Sequence, residues 1–219
     1  MPVLIAYAVV AVANLISAGV ENDVVFWITK PLLMPLLALW LWRAARGSAV
    51  PVRGFTAALA FSTAGDIALL GSGDLWFLAG MVFFLGAHIC YITTFVRHGA
   101  LARLRRWPVL AVPIGVAVLL GAALIWLWPG LAEIGLAVPM TAYGLALATT
   151  AATSSAFGWR TGLGGLLFLT SDLLIAVDAA GAAELPGPPI WVMLTYLAAQ
   201  TLLAFGWLRY QRARTASVL

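Results

Sequence analysis

Two aspartates and one lysine lie inside long apolar stretches of the chain. Asp66 stands in FSTAGDIALL, Asp172 in FLTSDLLIAV and Lys30 in WITKPLLMPL. A charged side chain at the centre of a membrane span costs about 2.5–3.5 kcal/mol on insertion scales. Mutual pairing in the protein interior offsets this cost most directly, and function is the first hypothesis for an aspartate at such a position. These three residues are therefore the candidate reactive group of the molecule.

Several neutral polar residues lie in the same apolar stretches and are candidates to bind substrate or to line a shared polar interior. They are Asn14, His88, Tyr91, Tyr143, Ser171, Tyr196 and Gln200. Hydrogen bonding between helices explains Asn14, His88, Tyr143, Tyr196 and Gln200 at least equally well. For Ser171 and its neighbour Thr170, we expect hydrogen bonds to carbonyl groups of their own helix. Three interpretations of Lys30 stay open: it holds a substrate phosphate, it tunes the carboxylates, or it only neutralises them.

The metal-binding residue types are scarce. The chain has two histidines, one of them in an arginine-rich loop, and a single cysteine. A three-histidine zinc site and a cysteine cluster are therefore both impossible. We expect no metal site and no cofactor.

The composition predicts the elements that must hold these residues. Of 219 residues, 63% are hydrophobic and 9% are charged, against about 45–50% and about 25% in soluble domains. This balance excludes a soluble enzyme, a disordered linker and a nucleic-acid-binding module. Because a transmembrane helix needs about 20 apolar residues, we predict an all-α, polytopic membrane bundle of eight transmembrane helices in one integral-membrane domain, residues 1–219. The helices are expected near residues 3–20, 24–43, 54–71, 75–96, 107–128, 131–151, 161–179 and 189–208.

Charged residues between the predicted helices separate by sign. All 11 arginines fall in loops 2, 4 and 6 or in the C-terminal tail. The opposite loops hold the acidic residues Glu21, Asp23, Asp74, Glu133, Asp178 and Glu184. Because cytoplasmic loops are enriched in basic residues, we expect both termini to be cytoplasmic. The orientation then puts Lys30, Asp66 and Asp172 in the outer halves of their helices, so one layer can hold all three.

A short internal repeat relates the two halves of the chain. The segments around Asp66 and Asp172 are similar, and each belongs to the third predicted helix of its half. A duplication of four helices preserves orientation, so the hypothesis is a 4+4 parallel repeat with its axis near the membrane normal. His88 and Gln200 are then rough counterparts on the fourth helix of each half.

Five segments in order resemble the successive blocks of the YhhN family: TKPLLMPLLALWL, STAGDIALL, FLAGMVFFLGAHICYI, GGLLFLTSDLLIA and YLAAQTLLAFG. The resemblance extends over roughly residues 28–206. One departure is Leu197, where family members often have a second aromatic residue after the Tyr196 position. The characterised members of this family are lysoplasmalogenases. The resemblance implies that the substrate is a lysophospholipid with a vinyl ether bond. It also implies that the products are a fatty aldehyde and glycerophosphoethanolamine or glycerophosphocholine.

The implied reaction suits the residues found inside the helices. A vinyl ether is hydrolysed by protonation of its β-carbon, which gives an oxocarbenium ion that water attacks. Two close carboxyl groups cannot easily both ionise, so one keeps a proton and can act as the acid. The hypothesis is that Asp66 and Asp172 form the acid/base pair and that Lys30 is their electrostatic partner, with the identity of the proton donor left open.

A transport function uses the same residues and is the alternative hypothesis. A buried layer of two aspartates and a lysine also suits a proton-coupled carrier of a small solute or a lipid. In either case the expected partners are membrane lipids and not nucleic acid, and the expected location is the bacterial cytoplasmic (inner) membrane. The oligomeric state is not predicted.

Overall fold

The computed structural model describes residues 1–106, 109–183 and 190–216. Over these residues the protein is all-α, with no β-strand. The helices in this part of the chain are α1 (Pro2–Gly19), α2 (Asp23–Ala45), α3 (Arg53–Ala68), α4 (Asp74–Arg97), α5 (Ala100–Leu104), α6 (Ala111–Glu133), α7 (Ala137–Ser155), α8 (Trp159–Ala179) and α9 (Ile190–Ala216). The predicted all-α class is confirmed.

Six of these helices are long and apolar enough to cross a membrane. They are α1, α2, α4, α6, α8 and α9. α3 has only 16 residues. α7 has 19 residues, but seven of them are threonine, serine or glycine, and it does not belong to this group. The composition therefore gave the correct class, a helical protein with several apolar helices of membrane-spanning length.

The predicted boundary between the fifth and sixth helices is wrong by several residues. The expected break was at Pro129–Gly130, but α6 continues through Pro129 to Glu133. The turn comes at Gly135, whose φ of 73° is a left-handed conformation that glycine adopts without steric cost. α7 consequently begins at Ala137, six residues later than predicted.

Several further differences concern helix ends and loops. The predicted loop 4 contains the short helix α5, and α9 continues to Ala216. The C-terminal arginines therefore lie on a helix and not in a tail. Similarly, Glu133 and Asp178 belong to the last turns of α6 and α8 and not to loops. Glu184 and the predicted helix starts at residues 107 and 189 lie outside the described residues.

The chain divides into two compact units, with the divisions inside α4 and α9. The first unit contains Met1–Thr94 and the chain from Ala204. In it α2 packs against both α1 and α3. Its buried aromatic core includes Phe55, whose ring centroid is 5.0 Å from that of Tyr91 and 5.1 Å from that of Trp207. The Trp207 indole nitrogen donates a hydrogen bond of 2.7 Å to the Pro51 carbonyl oxygen.

A glycine allows α3 and α4 to approach closely in the first unit. A Cβ atom at Gly65 would lie 2.7 Å from the Phe84 ring, which is closer than van der Waals contact allows. Gly65 immediately precedes Asp66 in the sequence. Gly65 therefore permits close packing of α3 against α4 beside the aspartate.

The second unit comprises Phe95–Leu203. In it α7 packs against both α6 and α8. α8 also lies close to the backbone of α9, because a Cβ atom at Gly164 would be 2.8 Å from the Leu203 nitrogen and 3.0 Å from the Ala199 carbonyl oxygen. Asp172 lies on α8, the helix that packs against α7 and approaches α9 in this unit.

Candidate active site

In the first unit, α2 and α3 bring Lys30 and Asp66 together. Both side chains are buried, Lys30 with 8% and Asp66 with 2% of its surface exposed. The charges are close enough for Asp66 to act electrostatically on the lysine. The Lys30 ammonium group also lies 5.3 Å from the centre of the Phe26 ring, within the range of a cation–π interaction. The charge of Asp66 and the Phe26 ring thus both offset part of the free-energy cost of burying the Lys30 ammonium group.

A polar network connects α1 to α2 beside Lys30. The Asn14 amide nitrogen donates a 2.9 Å hydrogen bond to the Thr29 hydroxyl oxygen. The Thr29 hydroxyl in turn donates to the Val25 carbonyl oxygen at 2.7 Å. Asn14 is fully buried, and among the described residues its side-chain oxygen has no hydrogen-bond partner. Asn14 therefore bridges two helices one residue away from Lys30.

His88 and Tyr91 lie on α4, and neither exposes any surface. Their spacing of three residues puts them on one side of the helix, as expected. The Tyr91 ring makes the edge contact with Phe55 in the aromatic core of the first unit. Tyr91 therefore contributes to packing, whatever further role it has.

In the second unit, α7 and α8 bring Tyr143 and Asp172 together. The Tyr143 hydroxyl donates a short hydrogen bond to the Asp172 Oδ2 atom. Both side chains are buried, with 7% of Tyr143 and 9% of Asp172 exposed. The sequence identified both residues but did not pair them, because the pairing depends on how α7 is rotated against α8.

An apolar cavity of about 50 Å³ adjoins this pair. It lies between α6, α7 and α8, and its wall consists of Leu119, Leu120, Ala123, Leu124, Leu127, Leu131, Met140, Tyr143, Gly144, Leu147, Leu169, Asp172, Leu173 and Ala176. Tyr143 and Asp172 are the polar residues of this wall, whose atomic surface is almost entirely apolar. A carboxyl group at an apolar cavity is an arrangement that can serve proton transfer to a bound hydrocarbon group.

The remaining candidates of the second unit lie at the contact of α8 with α9. The Ser171 hydroxyl donates a 3.1 Å hydrogen bond to the Val192 carbonyl oxygen of α9. The expectation that Ser171 bonds within its own helix is therefore wrong, although its neighbour Thr170 does bond to the Leu166 carbonyl oxygen. The difference arises because Ser171 faces the neighbouring helix.

Tyr196 and Gln200 are both buried on α9. The Tyr196 ring meets the Phe168 ring edge to face, with centroids 5.6 Å apart. Gln200 exposes none of its surface. These residues lie in the interior of the second unit, and their role in substrate binding stays a prediction.

The two aspartates occupy equivalent places on their helices. Asp66 lies thirteen residues after Arg53, the first residue of α3, and Asp172 lies thirteen residues after Trp159, the first residue of α8. Each interacts with a residue of the preceding long helix, namely Lys30 on α2 and Tyr143 on α7. The two aspartates are thus alike in their surrounding sequence, in their position along the helix and in the helix that supplies the partner residue.

The predicted group of three charges is divided between the units. Lys30 and Asp66 belong to the first unit and Asp172 belongs to the second, so a common layer of all three stays a prediction. Over residues 1–106, 109–183 and 190–216, no group of three or more His, Cys, Asp or Glu residues is placed to hold a metal ion.

Comparison with known proteins identifies the family. The sequence pattern of the YhhN family matches residues 25–207, a range that includes Lys30, Asp66, Tyr143 and Asp172. The chain belongs to the YhhN family. The resemblance of the five sequence segments is therefore confirmed. No solved structure matches this YhhN protein.

Curated relatives of this YhhN protein are named lysoplasmalogenases. The lysoplasmalogenase of Mycobacterium tuberculosis is 31% identical over 160 residues, which cover 70% of this chain and 60% of the relative. Lysoplasmalogenase TMEM86B of Sus scrofa is 36% identical over 147 residues, which cover 67% of this chain and 60% of the relative. Lysoplasmalogenase TMEM86B of Homo sapiens is 30% identical over 197 residues, which cover 87% of this chain and 80% of the relative. The chain thus matches 60% of the length of the mycobacterial and porcine relatives.

Proposed function

We propose that this YhhN protein is a membrane-embedded lysoplasmalogenase. It hydrolyses the vinyl ether bond of a lysoplasmenyl phospholipid to a fatty aldehyde and glycerophosphoethanolamine or glycerophosphocholine. The names of the curated relatives support this activity. The observation that carries it is the Asp172–Tyr143 pair at the wall of an apolar cavity, because the reaction requires an acid beside a hydrocarbon chain.

The reaction begins with a proton transfer to carbon. A carboxylic acid gives its proton to the β-carbon of the vinyl ether, and the double-bond electrons form the new C–H bond. The ether oxygen shares a lone pair with the adjacent carbon, which gives an oxocarbenium ion. Water adds to that carbon and loses a proton to a carboxylate. The resulting hemiacetal breaks its bond to the glycerol oxygen, which takes up a proton, and the aldehyde is released.

We assign the role of proton donor to Asp172 and leave the basic role to Asp66. The partner of Asp172 is a neutral hydroxyl group, which can donate a hydrogen bond to either protonation state of the carboxyl group. Asp66, in contrast, interacts with the cationic Lys30, which attracts a negative charge at Asp66. Asp172 also lines the cavity, where the double bond has to lie to receive the proton.

The remaining candidates have supporting roles in this proposal. Lys30 balances the charge of Asp66, and Asn14 holds α1 against α2 beside it. His88, Tyr91, Ser171, Tyr196 and Gln200 are kept as substrate-binding or positioning candidates. Their burial in the helical interior supports this role but serves packing as well.

The proposed membrane topology has eight spans and cytoplasmic termini. Arginines occur at the α2–α3, α4–α6 and α7–α8 connections and at the end of α9, whereas acidic residues occur at the alternate helix ends. Regular alternation of this kind requires α3 and α7 to cross the membrane. The equivalent positions of Asp66 and Asp172 support the 4+4 repeat. With basic loops inside, a bacterial cell would hold the protein in its cytoplasmic membrane.

Deuterium incorporation tests the proposed reaction. Purified protein in D₂O should convert lysoplasmenylethanolamine into an aldehyde that carries one deuterium on the carbon next to the carbonyl group. The saturated ether analogue, which lacks the double bond, should yield no aldehyde. Uptake of a solute or lipid by proteoliposomes, without release of aldehyde, would instead support the carrier hypothesis and contradict the proposed function.

A further inference from the structure

One wall of the cavity beside Asp172 is a stripe of apolar residues on α6. Leu120, Leu124, Leu127 and Leu131 recur at intervals of three or four residues, which puts them on one face of the helix. The stripe begins at Leu119, so it extends over about 18 Å of helix at about 1.5 Å per residue. A wall of this length and chemistry matches an extended hydrocarbon chain.

The two ends of the stripe differ in exposure. Leu119 has 46% of its surface exposed, whereas Leu131 has 1%. The cavity wall therefore reaches the surface of α6 at one end and the interior at the other. In a membrane helix this surface meets lipid, so a hydrocarbon chain can enter from the bilayer without crossing a polar region.

The size of the cavity fits part of a lipid chain. Its 50 Å³ accommodates roughly three to five water-sized groups, at about 10–15 Å³ each. Its leucine-rich wall offers water few hydrogen-bond partners, and apolar cavities of this kind stay dry. The cavity, which is partly open, therefore suits the few carbon atoms nearest to a reacting bond, with the rest of the chain lying along the exposed end of the α6 stripe.

We infer that this cavity binds the hydrocarbon chain of the ether lipid at the end next to the vinyl ether, and that Gly144 leaves the space for it. The inference rests on the proposed function, because Asp172 in the cavity wall is the proposed proton donor. The chain then presents its double bond to Asp172, while the surrounding leucines exclude water until the proton has been transferred.

Gly144 is the position at which the cavity width is set. It is buried on α7 and lines the cavity, and a Cβ atom there would lie 3.0 Å from the Leu120 Cδ1 atom of α6. A larger side chain would therefore occupy the space between the two helices. Gly115 on α6 offers a matched control, because it is exposed and a Cβ atom there would have no atom within 4 Å.

Photolabelling with a saturated ether lysophospholipid tests the inference independently of hydrolysis. The probe carries a diazirine on the chain carbons nearest to the ether and cannot be hydrolysed as a vinyl ether. Bound to the purified full chain and irradiated, it should label peptides of α6, α7 and α8 that line the cavity. Gly144→Leu should reduce this labelling at least tenfold, and Gly115→Leu should leave it unchanged.

A second variant keeps the test decisive if Gly144→Leu does not fold. Leu124→Trp narrows the cavity from the opposite helix and should also reduce labelling, and circular dichroism should show wild-type helix content for each variant. Labelling that is spread over the outer helix faces, or that persists in both narrowed variants, would overturn the inference. Cavity labelling in a protein that releases no aldehyde from lysoplasmenyl lipid would uphold the chain site and refute the proposed hydrolysis.

Discussion

At the residue scale, the two buried aspartates differ in their surroundings. Asp66 interacts with a lysine and Asp172 with a tyrosine hydroxyl. The sequence pointed to both aspartates as candidate reactive residues, since a buried charge is costly and conspicuous in an apolar helix. It did not predict the Tyr143–Asp172 pair, because a tyrosine is inexpensive to bury and its partner depends on the rotation of two packed helices.

The Tyr143 hydroxyl is expected to position Asp172 for proton transfer. Tyr143→Phe keeps the ring in the cavity wall and removes the hydrogen bond, which is worth about 1.5–3 kcal/mol once Asp172 has given up its proton and carries a charge. We expect kcat to fall about tenfold or more, with KM nearly unchanged, since about 1.4 kcal/mol corresponds to a factor of ten. Steady-state aldehyde release from lysoplasmenyl lipid measures both constants.

The matched control is Tyr7→Phe, the same change at a buried tyrosine of α1 that is not a candidate site residue. It should leave kcat at the wild-type value. A Tyr143→Phe enzyme with unchanged kcat would show that the hydroxyl does not position Asp172.

At the element scale, glycines decide how closely the helices pack and where they end. Most helix ranges were predicted well, because apolar runs and charged ends are visible in the sequence. It misplaced the α6–α7 boundary because Pro129 looked like the break, whereas Gly135 makes the turn. Packing through Gly65 or Gly164 was harder to locate, since only the structure shows which glycine faces a neighbouring helix.

Substitution of Gly164 should separate α8 from α9. Gly164→Leu would force a side chain against the Leu203 nitrogen and the Ala199 carbonyl oxygen, which are backbone atoms and cannot rotate away. Overpacking typically costs about 1–3 kcal/mol, which corresponds to about 2–4 °C in Tm for each kcal/mol in a chain of this size. We therefore expect a fall in Tm of several degrees, measured by thermal unfolding in detergent.

The exposed Gly115 again provides the comparison. Gly115→Leu adds the same side chain where no atom lies within 4 Å, so its Tm should stay within about one or two degrees of wild type. Equal Tm values for the Gly164 and Gly115 variants would contradict the close α8–α9 packing.

At the scale of the whole molecule, composition alone determined the class of protein. With 63% hydrophobic and 9% charged residues, the chain had to be embedded in lipid. The number of spans is a finer matter, since six helices have clear membrane-spanning length and hydropathy. In the proposed topology the charge pattern adds α3 and α7 as spans, although α3 covers only about 24 Å against a hydrocarbon core of about 30 Å.

Cysteine labelling on either side of α3 tests the eight-span topology. In a Cys90→Ala background, which has no other cysteine, Ser48→Cys lies before α3 and Ser72→Cys lies after it. In intact bacterial cells, a membrane-impermeant maleimide should label the Ser72→Cys variant alone. Both variants should react once the cells are opened. Equal labelling of the two variants in intact cells would place both ends of α3 on one side and contradict the proposed topology.

The most direct test of the central claim is aldehyde release by the wild-type protein and by Asp172→Asn in the same liposomes. Asparagine preserves the shape of the side chain but cannot supply the proton, and general acid catalysis contributes about 10²–10⁴-fold. Mass spectrometry should detect aldehyde from lysoplasmenyl lipid with the wild-type protein and a rate at least a hundredfold lower with a correctly inserted Asp172→Asn. Equal rates for the two proteins would contradict catalysis by Asp172.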